Sequence, residues 1–334
     1  MINVRRAYFY ILKAHSMSLT QPSEAKKAQR GLTQKFLDLP KADLARIGVL
    51  FALLIAGSLL SPGYLSVGNM RVLLLSVAGV GIVAYGMTLV VISGEIDLSV
   101  AGIAVLSGMV GAELLPTESA GLVILGTLAT GLVVGFINGV LTAVIGIPSL
   151  ITTLAMLGIA RALANILSGG QAAYPDSMPE YLWFGSGTLL GIPTPIALLL
   201  IFGACAFALT QYSAFGRALY ATGGNSRAAV LSGIPVRSVK VSVFMISGFL
   251  ASTMGMLESA RLSYINPAAF GGLELEVLAV TVLGGAALAG GSGSILGTLV
   301  AALIIGVINN LRNQLGVSIY LQQLVTALVI LAVV

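Results

Sequence analysis

Glu95 and Asp97 stand two positions apart in the polar segment Ser93-Gly94-Glu95-Ile96-Asp97-Leu98-Ser99, which interrupts two long apolar stretches. A carboxylate costs about 2.5–3.5 kcal/mol at the centre of a lipid-facing helix. Both therefore belong at an interface, in a cavity or at a helix end. Two readings suit these residue types. In the first the segment is a turn, with Gly94 closing one helix and Asp97 or Ser99 capping the next. In the second it is a broken helix, whose free backbone groups and carboxylates meet a polar solute along a pathway. The two are compatible, because a capped break can border a cavity. Asn138 and Asn309, at the ends of two apolar runs, join Glu95, Asp97 and Ser99 as candidate pathway residues.

Residue types needed for other chemistry are missing. A phosphate-binding loop needs glycine before its lysine, and the six lysines follow Leu12, Ala25, Lys26, Gln34, Pro40 and Val239. His15 is the only histidine, which excludes His-based metal sites and a Ser-His-Asp triad. Cys205 is the only cysteine, so no disulfide forms within the chain. The chain is expected to be no enzyme and to hold no cofactor or metal.

These residues sit among elements built for lipid. Of 334 residues, 57% are hydrophobic and 9% charged, against about 25% charged in soluble domains, and the mean hydropathy is +1.02. Apolar runs predict an all-α, polytopic helix bundle of about ten spans. They fall near 47–62, 72–93, 98–115, 121–146, 150–168, 194–212, 241–260, 275–290, 293–311 and 318–334. The net charge of +5 is no sign of nucleic acid, because nine Lys or Arg against three carboxylates lie in residues 1–46. This arm is read as a basic cytoplasmic terminus ahead of a transmembrane domain, 47–334. It is no cleavable signal peptide, being long and lacking a short apolar region with a small-residue cleavage site. Met17 is an alternative start. With the N-terminus inside, the loop 213–240 also falls inside with Arg217, Arg227, Arg237 and Lys240, while the loop 169–193, which has Asp176 and Glu180 but no Lys or Arg, lies outside. The reverse orientation would put all thirteen of these cations outside. Arg71, Arg261 and Arg312 are expected at outer ends and Arg161 within the fifth span.

Residues 124–138 (ILGTLATGLVVGFIN) and 295–309 (ILGTLVAALIIGVIN) agree at nine of fifteen positions. They occupy predicted spans four and nine. An offset of five spans reverses direction, so the agreement predicts an inverted 5+5 repeat with the pathway at the repeat interface. Asn138 and Asn309 would then lie near opposite faces. Glycines at helical spacing (Gly131, Gly135, Gly139) suit close helix packing. Gly290-Gly291-Ser292-Gly293-Ser294 reads as a tight turn between helices.

The loop 213–240 has its own architecture. Gly223-Gly224 breaks the chain, Asn225 or Ser226 caps a new helix, and Arg227 to Ser232 make about two turns. Gly233 fits the left-handed closing position and Pro235 stops the helix. A helix this short is marginal alone and needs something to pack on. An interfacial helix on anionic headgroups is the plainer alternative.

Three segments in order carry a resemblance: SGEIDLSVAGIAVLSG, FGRALYATGGNSRAAVLSGIPV and VLGGAALAGGSGSILGTLVAALIIGVINN. They resemble the sugar-type permeases of bacterial ABC importers, such as the ribose, xylose and galactoside systems, with branched-chain amino-acid permeases as distant relatives. The resemblance runs from about residue 60 to the end. It implies an inner-membrane permease for a sugar or polyol, working as a homodimer or heterodimer with a second permease subunit. It also implies two cytoplasmic ATPase domains, which bind the ATP, and a periplasmic solute-binding protein. The helix at 225–232 becomes a coupling helix, with Arg217, Gly223, Gly224, Asn225, Arg227, Leu231, Ser232 and Gly233 as candidate ATPase-contacting residues. Two features depart from the family pattern. Glu95 stands where the usual motif has its second glycine and Ala101 where it has its last. The chain also stops at Val334 inside an apolar run, so a truncated last span is expected. The alternatives are an ion-coupled secondary transporter using Glu95 and Asp97, and a membrane scaffold without a pathway.

Overall fold

The structure, a computed structural model, describes residues 41–175 and 178–316. Most of the basic arm, Asp176 and the tenth predicted span lie outside the described residues. The chain divides into two units, Met1–Ala45 and Arg46–Val334; of the first, only the start of a helix is described.

Among the described residues the helices are α1 Lys41–Leu60, α2 Val67–Ile92, α3 Val100–Glu113, α4 Ala120–Val140, α5 Ser149–Ser168, α6 Pro179–Ser186, α7 Thr194–Tyr212, α8 Ala214–Gly224, α9 Ser226–Leu231, α10 Val236–Leu262, α11 Leu273–Leu283 and α12 Ile295–Gln314. A two-residue hairpin, β1 Thr188–Leu189 with β2 Ile192–Pro193, precedes α7. Eight helical segments among the described residues are long and apolar enough to cross a membrane.

The helix ends follow local chemistry. Hydroxyls of Ser66, Ser119, Ser213 and Ser294 accept from the backbone three residues on and open α2, α4, α8 and α12. Helix α2 closes with Gly94 at φ +82, Gly94 N–H donating to Val91 O and Glu95 N–H to Val90 O. That paired pattern needs a left-handed residue, which glycine adopts at no steric cost. The predicted eighth span, 275–290, is corrected by a closure of the same kind. Helix α11 has 11 residues, about 16 Å at 1.5 Å per residue, against a hydrocarbon core of about 30 Å. It stops because Gly284 and Gly285 close it, with Gly285 N–H on Val282 O and Ala286 N–H on Thr281 O. Arg46 Nε donates to its Leu283 carbonyl at 2.8 Å. The seventh span is longer than predicted because Pro235 opens α10 at Val236 and Ser263, left-handed at φ 49, ends it.

Helices α2 and α10, the two longest at 26 and 27 residues, form the centre. Helix α10 packs on α4, α2 and α3; α2 packs on α10, α12, α7 and α11. The α4–α10 seam is made by Gly131, Gly135 and Gly139. A methyl group on Gly135 would overlap the Phe244 carbonyl, and one on Gly139 would lie 2.7 Å from Val241 Cα. Backbones this close share extensive dispersion contact, which associates helices where lipid offers no hydrophobic drive. Across the α2–α12 seam Thr88 and Thr298 hydroxyls hydrogen-bond at 2.7 Å. Helix α1 exposes Phe51, Ile55 and Leu59.

Polar contacts gather toward the two ends of the spans. One end holds the 93–99 segment, the start of α5, helices α8 and α9 and the 284–294 turn, joined by Ile96 N–H to Ser149 Oγ at 3.2 Å and Gly291 N–H to Ile92 O at 2.9 Å. The other holds the α1–α2 loop, the end of α12 and the 263–272 segment. There Asn69 and Asn310 exchange amide hydrogen bonds, and Ala173 pairs with Ile265.

Candidate functional site

The polar break between α2 and α3 is the centre of one site. Asp97 is wholly buried, and its partners come from two places, the opening of α3 and α10. Oδ1 accepts the Ser99 N–H at 3.0 Å and the Ser99 hydroxyl, while Oδ2 accepts the Ser247 hydroxyl of α10 at 2.8 Å. Asn138 Nδ2, from the end of α4, donates to Ser99 Oγ at 2.8 Å. The network orients the amide. Ser99 has one hydroxyl proton and gives it to Asp97, so its oxygen accepts from Asn138 and must face the NH2 group. The Asn138 carbonyl oxygen is left buried without a partner among the described residues. Ser99 caps α3 by position but makes no side-chain capping bond; its hydroxyl serves Asp97 instead. A buried carboxylate is costly unless hydrogen-bonded, and here three uncharged donors meet it.

Glu95 points elsewhere. Its carboxylate pairs with Lys240 Nζ near the start of α10, both side chains being largely covered. Although they stand only two positions apart, Glu95 and Asp97 reach different partners, Lys240 and Ser247. Both nevertheless tie the break to α10, one through charge and one through Ser247.

Asn309 lies away from these residues, at the other end. Its Nδ2 donates to Glu276 Oε1 of α11 at 2.6 Å, and Arg312 donates to its Oδ1. Nearby Arg161 of α5 stands 4.0 Å from Glu274 and donates to the Phe270 carbonyl. Thus Asp97, Ser99 and Asn138 come together, Glu95 adjoins them through α10, and Asn309 belongs to a separate acid–base cluster. Ser247, Glu274 and Glu276 are not singled out by the sequence, and Lys240 only as one of the loop cations. A lone hydroxyl within an apolar run such as VFMISGFL is the available signal for Ser247, and intramembrane acids at the opening of a short helix are the signal for the glutamates.

The second site is the 213–235 segment. Ser213 Oγ caps α8, and Arg217 on its exposed face donates to Ser213 O at 3.2 Å. Asn225 Oδ1 accepts Ala228 N–H at 3.0 Å and caps α9. At the other end Gly233, with φ +80, donates to Val230 O while Ile234 donates to Ala229 O. Two turns are thereby closed at both ends. Ala229 is buried and seats α9 on the bundle, whereas Arg227 and Ser232 are exposed. Leu231 is 90% exposed and Val230 59%. A folded helix that turns its largest apolar side chains away from its own core offers them to something else.

The family model for the branched-chain amino acid transport system / permease component matches residues 69–334. The chain is 40% identical over 286 residues to the ribose import permease protein RbsC of Escherichia coli (strain K12), across 84% of this chain and 89% of that one. It is 40% identical over 279 residues to the L-arabinose ABC transporter permease protein AraH of Azospirillum brasilense, across 83% and 81% respectively. RbsC of Bacillus subtilis (strain 168) is 38% identical over 288 residues, across 84% and 88%. No solved structure matches the chain. Similarity of this extent makes the chain a member of the branched-chain amino acid transport system permease family, alongside the ribose and L-arabinose permeases.

Proposed function

We propose that this chain is the membrane-spanning permease subunit of an ATP-driven importer for a sugar or related polyol, and that helix α9 docks on a separate ATPase. The observation that carries the docking is α9 itself: capped at both ends, seated by Ala229 and presenting Val230 and Leu231 outward. The sequence has no phosphate loop of its own, so work must reach it through contact. The relatives, named as ribose and L-arabinose permeases, support the substrate class.

On this reading the N-terminal arm, α8–α9 and the 93–99 break face the cytoplasm of a bacterial inner membrane, and Glu258, Glu274 and Glu276 lie toward the outside. A second permease subunit, two ATPase domains and a periplasmic binding protein complete the importer; ATP binds to the ATPase, and this chain takes no cofactor. An inverted repeat fits the packing: α10 lies on α3 and α4, while α2 lies on α11 and α12. Asn138 and Asn309, equivalent in the repeat, join clusters at opposite ends. Asp97, Ser99 and Asn138 set the shape of the pathway's inner end, and Glu95 with Lys240 closes its side.

Affinity purification of the tagged chain from its own host tests the whole assembly. An ATPase and a solute-binding protein should accompany it, and the ligand carried by that binding protein should be a sugar or polyol. Gradient-driven uptake by the lone chain, lost in Glu95→Gln or Asp97→Asn, would instead make it an ion-coupled transporter.

A further inference from the structure

Three backbone segments meet at the end of the bundle that carries α9. They are the close of α2 (Ile92–Gly94), the close of α8 (Gly223–Gly224) and the turn before α12 (Gly290–Gly293). Gly291 N–H donates to Ile92 O at 2.9 Å. A methyl group on Gly223 would overlap that same carbonyl oxygen and lie 2.5 Å from the Gly291 nitrogen. One on Gly290 would lie 2.8 Å from Gly94 Cα and 2.9 Å from Gly223 O, and one on Gly291 2.7 Å from Gly224 Cα. Tyr220 of α8 adds a tether, its hydroxyl donating to Gly293 O at 3.0 Å. Gly293 in turn has no room for a side chain beside Ile92, whose Cγ1 would be 2.6 Å away.

Small residues let two membrane helices approach closely. Here glycines from three segments lie backbone against backbone, with no side chain between them to bend. Such a contact passes displacement from one segment to the next, because a change of rotamer cannot absorb it. The segments it joins are widely separated in the chain. Gly224 precedes the α9 cap by one residue. Ile92 and Gly94 lead directly into Glu95 and Asp97. Gly293 leads through Ser294 into α12.

We propose that Gly223, Gly290 and Gly291, with Tyr220, are positioning residues that carry a displacement of α8–α9 at once into the 93–99 break and into the start of α12. This rests on the reading that α9 docks on an ATPase. Both halves of the chain are then driven by one joint: the break, with Asp97 and Ser247, on one side, and the α2–α12 seam at Thr88 and Thr298 on the other. An isolated swing of α9 that left the break behind would have to separate Gly223 from Ile92, which this packing opposes.

The test uses the complete permease–ATPase complex in lipid nanodiscs, with Ile96→Cys as a reporter in a Cys205→Ala background. The rate of maleimide labelling is measured without nucleotide and with ATP plus vanadate. In the parent the rate should change at least about threefold between the two states. Gly223→Ala should keep the ATPase bound yet bring that ratio to one. Tyr220→Phe, which leaves the glycine contacts intact and loses one hydrogen bond, should at least halve the departure from one. Gly158→Ala, on a glycine of α5 with open space around it, should retain the parent ratio. A full nucleotide response in Gly223→Ala with ATPase bound overturns the joint. If Gly223→Ala fails to accumulate, an unchanged response in Tyr220→Phe overturns it. No response in the parent itself, with ATPase bound, also overturns the joint, whereas failure of the ATPase to bind the parent sinks the docking reading on which it rests.

Discussion

Replacing Leu231 with aspartate separates the docking role of α9 from its role in the fold. The side chain is 90% exposed, so the substitution removes almost no burial from the permease itself. Exposed changes of this kind shift stability by about 0.5 kcal/mol or less. Burying a leucine fully against a partner is worth about 1.5–3 kcal/mol, and every 1.4 kcal/mol is about tenfold in affinity. Leu231→Ala should therefore weaken ATPase binding by roughly one to two orders of magnitude. Leu231→Asp adds the cost of taking a carboxylate out of water, several kcal/mol in an unpaired site, and should abolish binding over any practical range. The assay is titration of the purified ATPase onto the permease in nanodiscs, run beside uptake into vesicles and a measurement of permease abundance. The expected order is wild type, then Leu231→Ala, then Leu231→Asp, at constant abundance. Normal affinity and normal uptake for Leu231→Asp would refute the reasoning outright, since no groove could accept that carboxylate unnoticed. A fall in abundance matching the fall in uptake would mean that α9 serves insertion or folding instead.

Orientation can be read with a membrane-impermeant thiol reagent in the Cys205→Ala background. Ser226→Cys should react only after the inner membrane is opened, and Leu190→Cys, at a fully solvent-facing hairpin tip, from the outside; reversed labelling would overturn the assignment. Asp97→Asn keeps an oxygen for the Ser99 donors and turns an NH2 group toward Ser247, so melting in detergent should change little. Asp97→Ala orphans three donors at about 1–3 kcal/mol for each buried unsatisfied group and should melt many degrees lower; equal melting of the two would refute the buried network. If uptake falls in Asp97→Asn while the ATPase stays bound, the carboxylate does more than hold the break. For the Glu95–Lys240 pair, Glu95→Gln and Lys240→Met should each lower stability, and the double variant should lose less than their sum by roughly 0.5–3 kcal/mol; strict additivity would show that the pair is not coupled.

Much of the local architecture was legible in the residues. Gly94, Asn225, Gly233 and Pro235 act within a few positions along the chain, and the sequence reading of each agrees with the structure. The lipid-facing class and most span positions follow from composition, because each span is one long apolar run. The same local logic, applied to Gly284 and Gly285, would have shortened the eighth span to α11; the apolar residues beyond them concealed the stop. The arrangement of the polar groups was a different matter. Nothing along the chain says that Asp97 will find Ser247, 150 positions away, or that neighbouring Glu95 will turn to Lys240. Those pairings depend on the rotation of α10 about its axis and its height against α2, which are set by glycine-on-backbone contacts such as Gly86 on Ser247. Asn138 and Asn309 looked alike in the sequence, yet one serves Ser99 and the other Glu276. The meeting of Gly94, Gly223, Gly290 and Gly291 is the extreme case. A glycine in sequence states only that a side chain is absent, and what comes to occupy that space is decided by how the helices pack.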